Sequence, residues 1–438
     1  MGPASCREKG EGFDMRTGLL LGAGFSYDLG MPLAAELASV FLNLFNERNV
    51  LRVADTLSTI NHYGNDRPIN KPAIHEGLNF VLNYKRKLGN NYEELFANLE
   101  NLASLPQKTQ SDRDSYHFLF DVFYDILYQI FVAYQRESYK TMYERNKPWF
   151  SKLGNLFSTK ETWVFSLNHD LYLECLAIDL GLPITYGGIG KITFPVSNLE
   201  LDKKVHVSYL HRDQLSVEAA GWIKDRKGIN FVRLHGGLSE FEYRDNTLIC
   251  NPSLERSQSM ELMLDFEKIE SMGYYLLGKR IPSGKDKSIT GPDGTFDIVK
   301  RALLTGGRKY TPTTNVKRGE EKLKIFHDVL VELDELTIIG YSFGDSHVNY
   351  RISNAMVLNP ALKLRWVDPA YHPWPDFLQQ FDYDLRIRKA SCGAAQWMAY
   401  VGDEKWDQAQ LKALKESESI RIDVKRRIEA MFVNVASL

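Results

Sequence analysis

The chain has 438 residues, 44% of them hydrophobic and 25% charged, a globular composition with length for a sizeable core in one large domain or two to three smaller ones. Lys plus Arg number 54 against 56 for Asp plus Glu, so no global field recruits nucleic acid or an anionic membrane. Cys6, Cys175, Cys250 and Cys392 are far apart and form no C-x-x-C pair, which points to a reducing compartment and away from a zinc ribbon.

Residues 1–14 are small and polar and lack the apolar core of a signal peptide; they are expected to be a disordered leader on a cytoplasmic protein. Leu19-Leu20-Leu21 then runs into Gly22-Ala23-Gly24-Phe25-Ser26, with Gly30-Met31-Pro32 close behind. Three leucines bounded by glycine fit a strand covered on both faces. The glycines allow a tight turn and close backbone approach, and Ser26 is placed to cap a helix whose amides attract anions. A dinucleotide fingerprint would have a third glycine where this chain has Tyr27, and Gly-Ala-Gly also reads as a plain strand-to-helix connection.

Residues 33–46 have helical spacing, 55–73 are mixed and loop-rich, and about 74–157 form a helical insertion. Within it, residues 116–134 are strongly apolar, but His117, Asp121, Asp125 and Gln129 recur every four residues along one edge. That stripe excludes a membrane span and predicts a helix packed around a narrow solvated line. A strand ending at Asn168 follows, then a helix over 171–180 and a short strand over 182–186. Gly187-Gly188-Ile189-Gly190 lacks a following Lys-Ser/Thr and reads as a turn. Residues 192–209 and 241–250 alternate as hairpin or edge strands, and 253–277 reads as a helix. Residues 281–312 are rich in Gly, Lys, Ser and Thr and are the candidate lid, a mobile loop over the crevice. An amphipathic helix over 320–333 leads to a strand ending at Gly340. A further strand over 362–367 ends in Asp368-Pro369, which either binds ribose hydroxyls or starts a turn. A last strand over 385–388 and a charged, solvated helix over 405–435 complete the chain.

The organisation expected is therefore an α/β, Rossmann-like domain over 15–390, with a mostly parallel sheet covered by helices on both faces, and a C-terminal helical segment over 391–438. Four strand-like runs end in polar residues, and in an open α/β sheet such carboxyl ends share one edge. They would gather Gly24, Asn168, His235 and Ser342 around one crevice.

Gly22-Ala23-Gly24-Phe25-Ser26 with Gly30-Met31-Pro32, Ser166-Leu167-Asn168-His169-Asp170, Leu234-His235-Gly236 and Gly340-Tyr341-Ser342-Phe343-Gly344-Asp345 resemble, in order and spacing, the motifs of the sirtuin-like superfamily. The closest likeness is to the bacterial sirtuin-like NAD hydrolases of anti-phage defence, and it covers most of the chain, from about Thr17 to Asp368. The deacylase sirtuins carry a four-cysteine zinc module, a Pro-Asp-Phe-Arg continuation and a Gln before the Asn. Here Leu33 follows Pro32, Leu167 precedes Asn168, and no zinc ligand set is present, so an acyl-lysine channel is not expected.

The resemblance implies NAD as substrate, with no metal, and hydrolysis to nicotinamide and ADP-ribose. Asn168 would fix a ribose hydroxyl or a water, since it donates and accepts at once, and His235 would take a proton. By the same resemblance Asp170 contacts the nicotinamide amide and Gly22, Ala23, Gly24, Phe25 and Ser26 the diphosphate. Ser342 and Asp345 would sit near the adenosine half; Gly340 is a further cofactor-binding candidate, as is Asp368 if its strand-end position serves the ribose. His169, His206, His211 and His347 are expected to be structural. The alternatives are an NAD or ADP-ribose sensor without turnover, and an ADP-ribosyltransferase or deacylase with a protein co-substrate. The short chain after Asp368 leads to an expectation of control by assembly, as a homo-oligomer or with a partner such as a HerA-type ATPase or a short Argonaute, without direct nucleic-acid binding.

Overall fold

A computed structural model describes residues 15–59, 69–157, 160–284, 286–303, 319–370 and 372–436. The expected leader over 1–14 and residues 304–312 of the candidate lid lie outside them. The protein is α/β. Its centre is a seven-stranded, wholly parallel sheet of β1 (Thr17–Leu21), β2 (Glu161–Ser166), β3 (Ile184–Thr185), β4 (Gly228–Arg233), β5 (Glu335–Ile339), β6 (Lys363–Val367) and β7 (Ile387–Ala390). Their spatial order is β7-β6-β5-β1-β2-β4-β3. The chain places β2, β3 and β4 on one side of β1, with β4 inserted between β2 and β3, then returns to build outward through β5, β6 and β7 on the other, so the order reverses between β1 and β5. That reversal is where an open α/β sheet leaves a crevice.

The three leucines of β1 show why the sheet is covered twice. Successive side chains of a strand point to opposite faces. Leu19 and Leu21 enter one core with Phe41, Phe123 and Leu127 of the helices Ala34–Asn43 and Gln110–Ser138. Leu20 enters the other with Phe326 and Ile352 of the helices Glu320–Leu330 and Ser346–Leu358.

The insertion is helical as expected. Its longest helix, Gln110–Ser138, starts at a capping box in which the Thr109 hydroxyl accepts from the Asp112 amide at 3.2 Å and Asp112 accepts from the Thr109 amide at 2.9 Å. The predicted polar stripe stays wet, with His117 and Gln129 exposed and Asp121 and Asp125 half-buried. Among the described residues no helix is long and apolar enough to cross a membrane.

Two expectations need correction. The loop-rich reading of 55–73 misses the helix Val50–Thr59, which buries Val50, Ala54 and Leu57. Part of the candidate lid is ordered sheet: Asp286–Thr290 and Phe296–Arg301 pair antiparallel within a six-stranded antiparallel sheet that also contains Gly190–Ser197, Glu200–His211, Phe241–Tyr243 and Leu248–Pro252. Ile289 and Val299 close over Phe194 and Val205 in its core. The alternation is hidden in the sequence because Lys287 and Thr290 are buried while Phe296 and Ile298 are exposed.

Candidate active site

The carboxyl ends of the strands are level. Leu21 pairs with Ser166 and Ile339, Ser166 with Arg233, and Ile339 with Val367. The chain therefore leaves β5, β1, β2 and β4 side by side, presenting Gly340, Gly22, Asn168 and His235 along one edge in that order. The four expected strand ends are brought together.

Gly22 is extended, at φ −108° and ψ −178°, and a five-residue helix, Ala23–Tyr27, begins immediately after it. Ser26 therefore lies inside that helix rather than capping one, and its hydroxyl turns inward. Asn168 Nδ2 donates to the Gly22 carbonyl at 2.9 Å and to Ser26 Oγ at 3.1 Å. Ser26 also hydrogen-bonds the Asp170 carboxylate, so one hydroxyl joins the glycine turn to the two polar residues after β2. Burial raises the Asp170 pKa above the ordinary carboxylate range, against the hydrogen bonds from the Tyr172 amide and Ser26 and the charge of Arg233.

The glycines meet the chain itself. The Gly24 amide donates to the Gly340 carbonyl at 3.0 Å and the Gly22 amide to the Ile339 carbonyl at 2.9 Å. A Cβ on Gly22 would lie 2.5 Å from the Gly340 oxygen. Close approach of backbone to backbone is thus one reason for glycine here, and these two amides are engaged without a ligand.

His235 opens the turn after β4. Its Nε2 lies 2.9 Å from Asp345 Oδ2, with both side chains 5% exposed. Gly236 has φ +70° and sits under Ala302, whose carbonyl would be 1.5 Å from an added Cβ. His169, expected to be structural, lies at the site: its Nδ1 is 3.2 Å from the Gly236 carbonyl and its ring centre 6.4 Å from that of His235. Phe131 of the long insertion helix packs edge-on against His169 at 5.1 Å. Tyr124 and Tyr128 donate to the carbonyls of Leu303 and Leu238, each at 3.1 Å, so the insertion forms one wall.

The remaining expected residues divide. Asp345, assigned to the adenosine half by resemblance, turns to His235. Ser342, in the same loop, is exposed. Asp368 Oδ1 accepts from the Ala370 amide at 2.8 Å, which is the turn-starting alternative. Beneath the site, Arg233 pairs with Glu174, donates to the Asp170 carbonyl at 2.7 Å and reaches Ser239 at 3.1 Å. Tyr186 donates to the same glutamate at 2.7 Å. Sequence reasoning passed over Arg233 and Glu174. Their signal was present: a charge at the end of an apolar strand, and an acid on the buried side of an apolar helix.

Asn168, Asp170, His235 and Asp345 are all buried. Two cavities lie away from these residues. One of about 920 Å³, among Arg16, Lys363, Arg386 and Arg388, lies at the opposite edge of the sheet. One of about 780 Å³ lies beside β3, among Ile184, Trp222 and Arg256. Compared with known protein families and with curated proteins, the chain matches none.

Proposed function

We propose that the protein hydrolyses NAD to nicotinamide and ADP-ribose at the edge carrying Asn168 and His235. The observation that carries the reading is the gathering of Asn168 and the buried Asp170 around Ser26, beside the point where strand order reverses, with His235 along the same edge. The resemblance of those same segments to sirtuin-like NAD hydrolases supplies the substrate.

In this reaction the bond between the ribose C1′ and the nicotinamide nitrogen breaks and its electron pair leaves with nicotinamide. Water oxygen bonds to C1′ and gives up a proton. Positive charge builds on the ribose, so the site must hold the sugar and leave one face open. Both amide hydrogens of Asn168 are committed to Gly22 and Ser26, so its Oδ1 is the acceptor for a ribose hydroxyl or the water. His235 takes the proton. By the same reading the enzyme is cytoplasmic, acts in anti-phage defence and is controlled by assembly.

Purified protein incubated with NAD should release nicotinamide, and ADP-ribose in equal amount, followed by chromatography. Asn168→Ala and His235→Ala should not. A second reading is binding of NAD or ADP-ribose without turnover. Calorimetric binding without nicotinamide release would select it.

A further inference from the structure

At the amino ends of its strands the central sheet changes character on one face. Along β6, Leu364 and Trp366 enter the core with Leu20, while Val367 enters the core on the other side with Leu19 and Leu21. Lys363 and Arg365 share the side of Val367, and there the apolar cover gives way to a cavity of about 920 Å³. Five cationic side chains and three acidic ones line it, an excess of positive charge in a chain whose net charge is −2.

Register brings the cations together. Arg365 on β6 is the partner of Arg388 on β7, and Lys363 is the partner of Glu335 on β5. The glutamate goes to Arg365, whose Nη2 donates to Oε2 at 3.3 Å and whose Nε lies 3.1 Å from Oε1. Arg16 lies against Glu332 at 2.8 Å. Arg386 is fixed on three carbonyls, those of Leu362 at 3.1 Å and of Met356 and Asn359 at 2.7 Å each. The side chains of Lys363 and Arg388 are exposed, with no hydrogen-bond or ion-pair partner among the described residues. Like charges side by side on neighbouring strands are unfavourable, so Arg388 beside Arg365 is a cost that no contact of the fold offsets.

We propose that this cavity binds a compact polyanion of nucleotide size that carries its charge on adjacent phosphates, with Lys363 and Arg388 as the charge contacts. The volume is that of a small-molecule site and exceeds what one ion fills. A guanidinium meets a phosphate with two parallel donors and an ammonium meets it as a point charge. Lys363 and Arg388 stand on a diagonal of neighbouring strands, within reach of each other for long side chains, so both contact one ligand. Asp334 and Asp384 also line the cavity, which favours a ligand that enters it over an extended polyanion laid across it, such as a nucleic-acid backbone. The cavity lies at the other end of the strands from Asn168 and His235, and the proposal does not rest on the NAD-hydrolysis reading.

Titration calorimetry of the full chain with inorganic tripolyphosphate tests it, at about 0.1 M salt, where charges beyond contact are largely screened. The wild type should bind saturably. Lys363→Met and Arg388→Gln should each weaken binding about tenfold, and Arg388→Lys should weaken it less than Arg388→Gln, because it keeps the charge and loses the fork. Asn168→Ala should bind as the wild type does. Without ligand the melting temperature of Arg388→Gln should be unchanged or raised, since a repulsion is removed. Absence of saturable binding, wild-type affinity in the Lys363→Met, Arg388→Gln double variant, or loss of binding in Asn168→Ala overturns the proposal. So does a lowered melting temperature of Arg388→Gln, which would mean that the fold itself uses that charge. Tighter binding of citrate, or of a single-stranded oligonucleotide, through the same two residues would replace the compact phosphate ligand and overturn it as well.

Discussion

The amide of Gly24 meets the carbonyl of Gly340 at 3.0 Å, so the turns after β1 and β5 touch backbone to backbone at the crevice. Gly340 is left-handed, at φ +67°, and a Cβ there would lie 2.4 Å from Gly24 Cα. Gly340→Ala should therefore destabilise the protein by about 1–3 kcal/mol or more, combining overpacking with a disfavoured backbone conformation. Urea denaturation checks this, and Gly344→Ala, with nothing within 4 Å of its added Cβ, is the control. Equal losses in the two variants would mean that the contact contributes nothing.

Asn168 and His235 are expected to differ in what their removal does to the fold. Asn168→Ala leaves the Gly22 carbonyl and Ser26 hydroxyl without their donor, a loss of about 1–3 kcal/mol, and should also abolish most nicotinamide release. His235→Ala should lower the rate about 10²–10⁴-fold, with the double variant hardly worse than the worse single one. Steady-state rates and melting curves on the same preparations separate the two effects. Nearly full hydrolysis by a folded His235→Ala protein would refute the mechanism.

Arg421, on the C-terminal helix Gln408–Ala436, reaches back to the glycine turn. Its Nη1 donates to the Met31 carbonyl at 2.8 Å, its Nη2 lies 2.7 and 2.6 Å from the two oxygens of Glu36, and the guanidinium is 3.5 Å from the Tyr27 ring centre. A helix that reads as solvated from its charges thus braces the residue next to Ser26. Arg421→Ala should cost about 1–3 kcal/mol and speed hydrogen exchange across residues 22–31. Arg421→Lys should recover only part, since lysine lacks the planar fork. Unchanged exchange in Arg421→Ala would remove this role.

Lys287 gives a pH dependence of known sign. Burial lowers its pKa from 10.5 to about 8, although Glu270 opposes the shift, while Nζ donates to the carbonyls of Ile269 and Glu270 at the end of the helix Ser259–Ser271. Below pH 8 both folded and unfolded chains keep the proton and the burial penalty is complete. Between pH 8 and 10.5 the folded protein releases it first, so the unfolded state binds more protons and stability rises with pH, by at most about 3 kcal/mol. The difference in unfolding free energy between wild type and Lys287→Met should grow in favour of the wild type across that window. A constant difference would show that Lys287 does not titrate there.

What the sequence determined by itself is what depends on neighbours along the chain. Apolar runs ending in glycine or polar residues marked β1, β2, β4, β5 and β6, because strand pleat and burial are read from side chains a few residues apart. The four-residue polar spacing marked the wet edge of the insertion helix for the same reason. Tertiary structure alone decided which strand ends touch: that Gly22 and Gly24 close on Gly340, that Asp345 turns to His235, and that His169 stands beside it. It also decided that Glu174 pairs with Arg233 and that Arg421 reaches Met31. Each of these joins groups far apart in the chain, and short-range pattern carries no record of such a meeting. It follows from strand order and register, which level the carboxyl ends along one edge, and from burial, which favours pairing of the polar groups there.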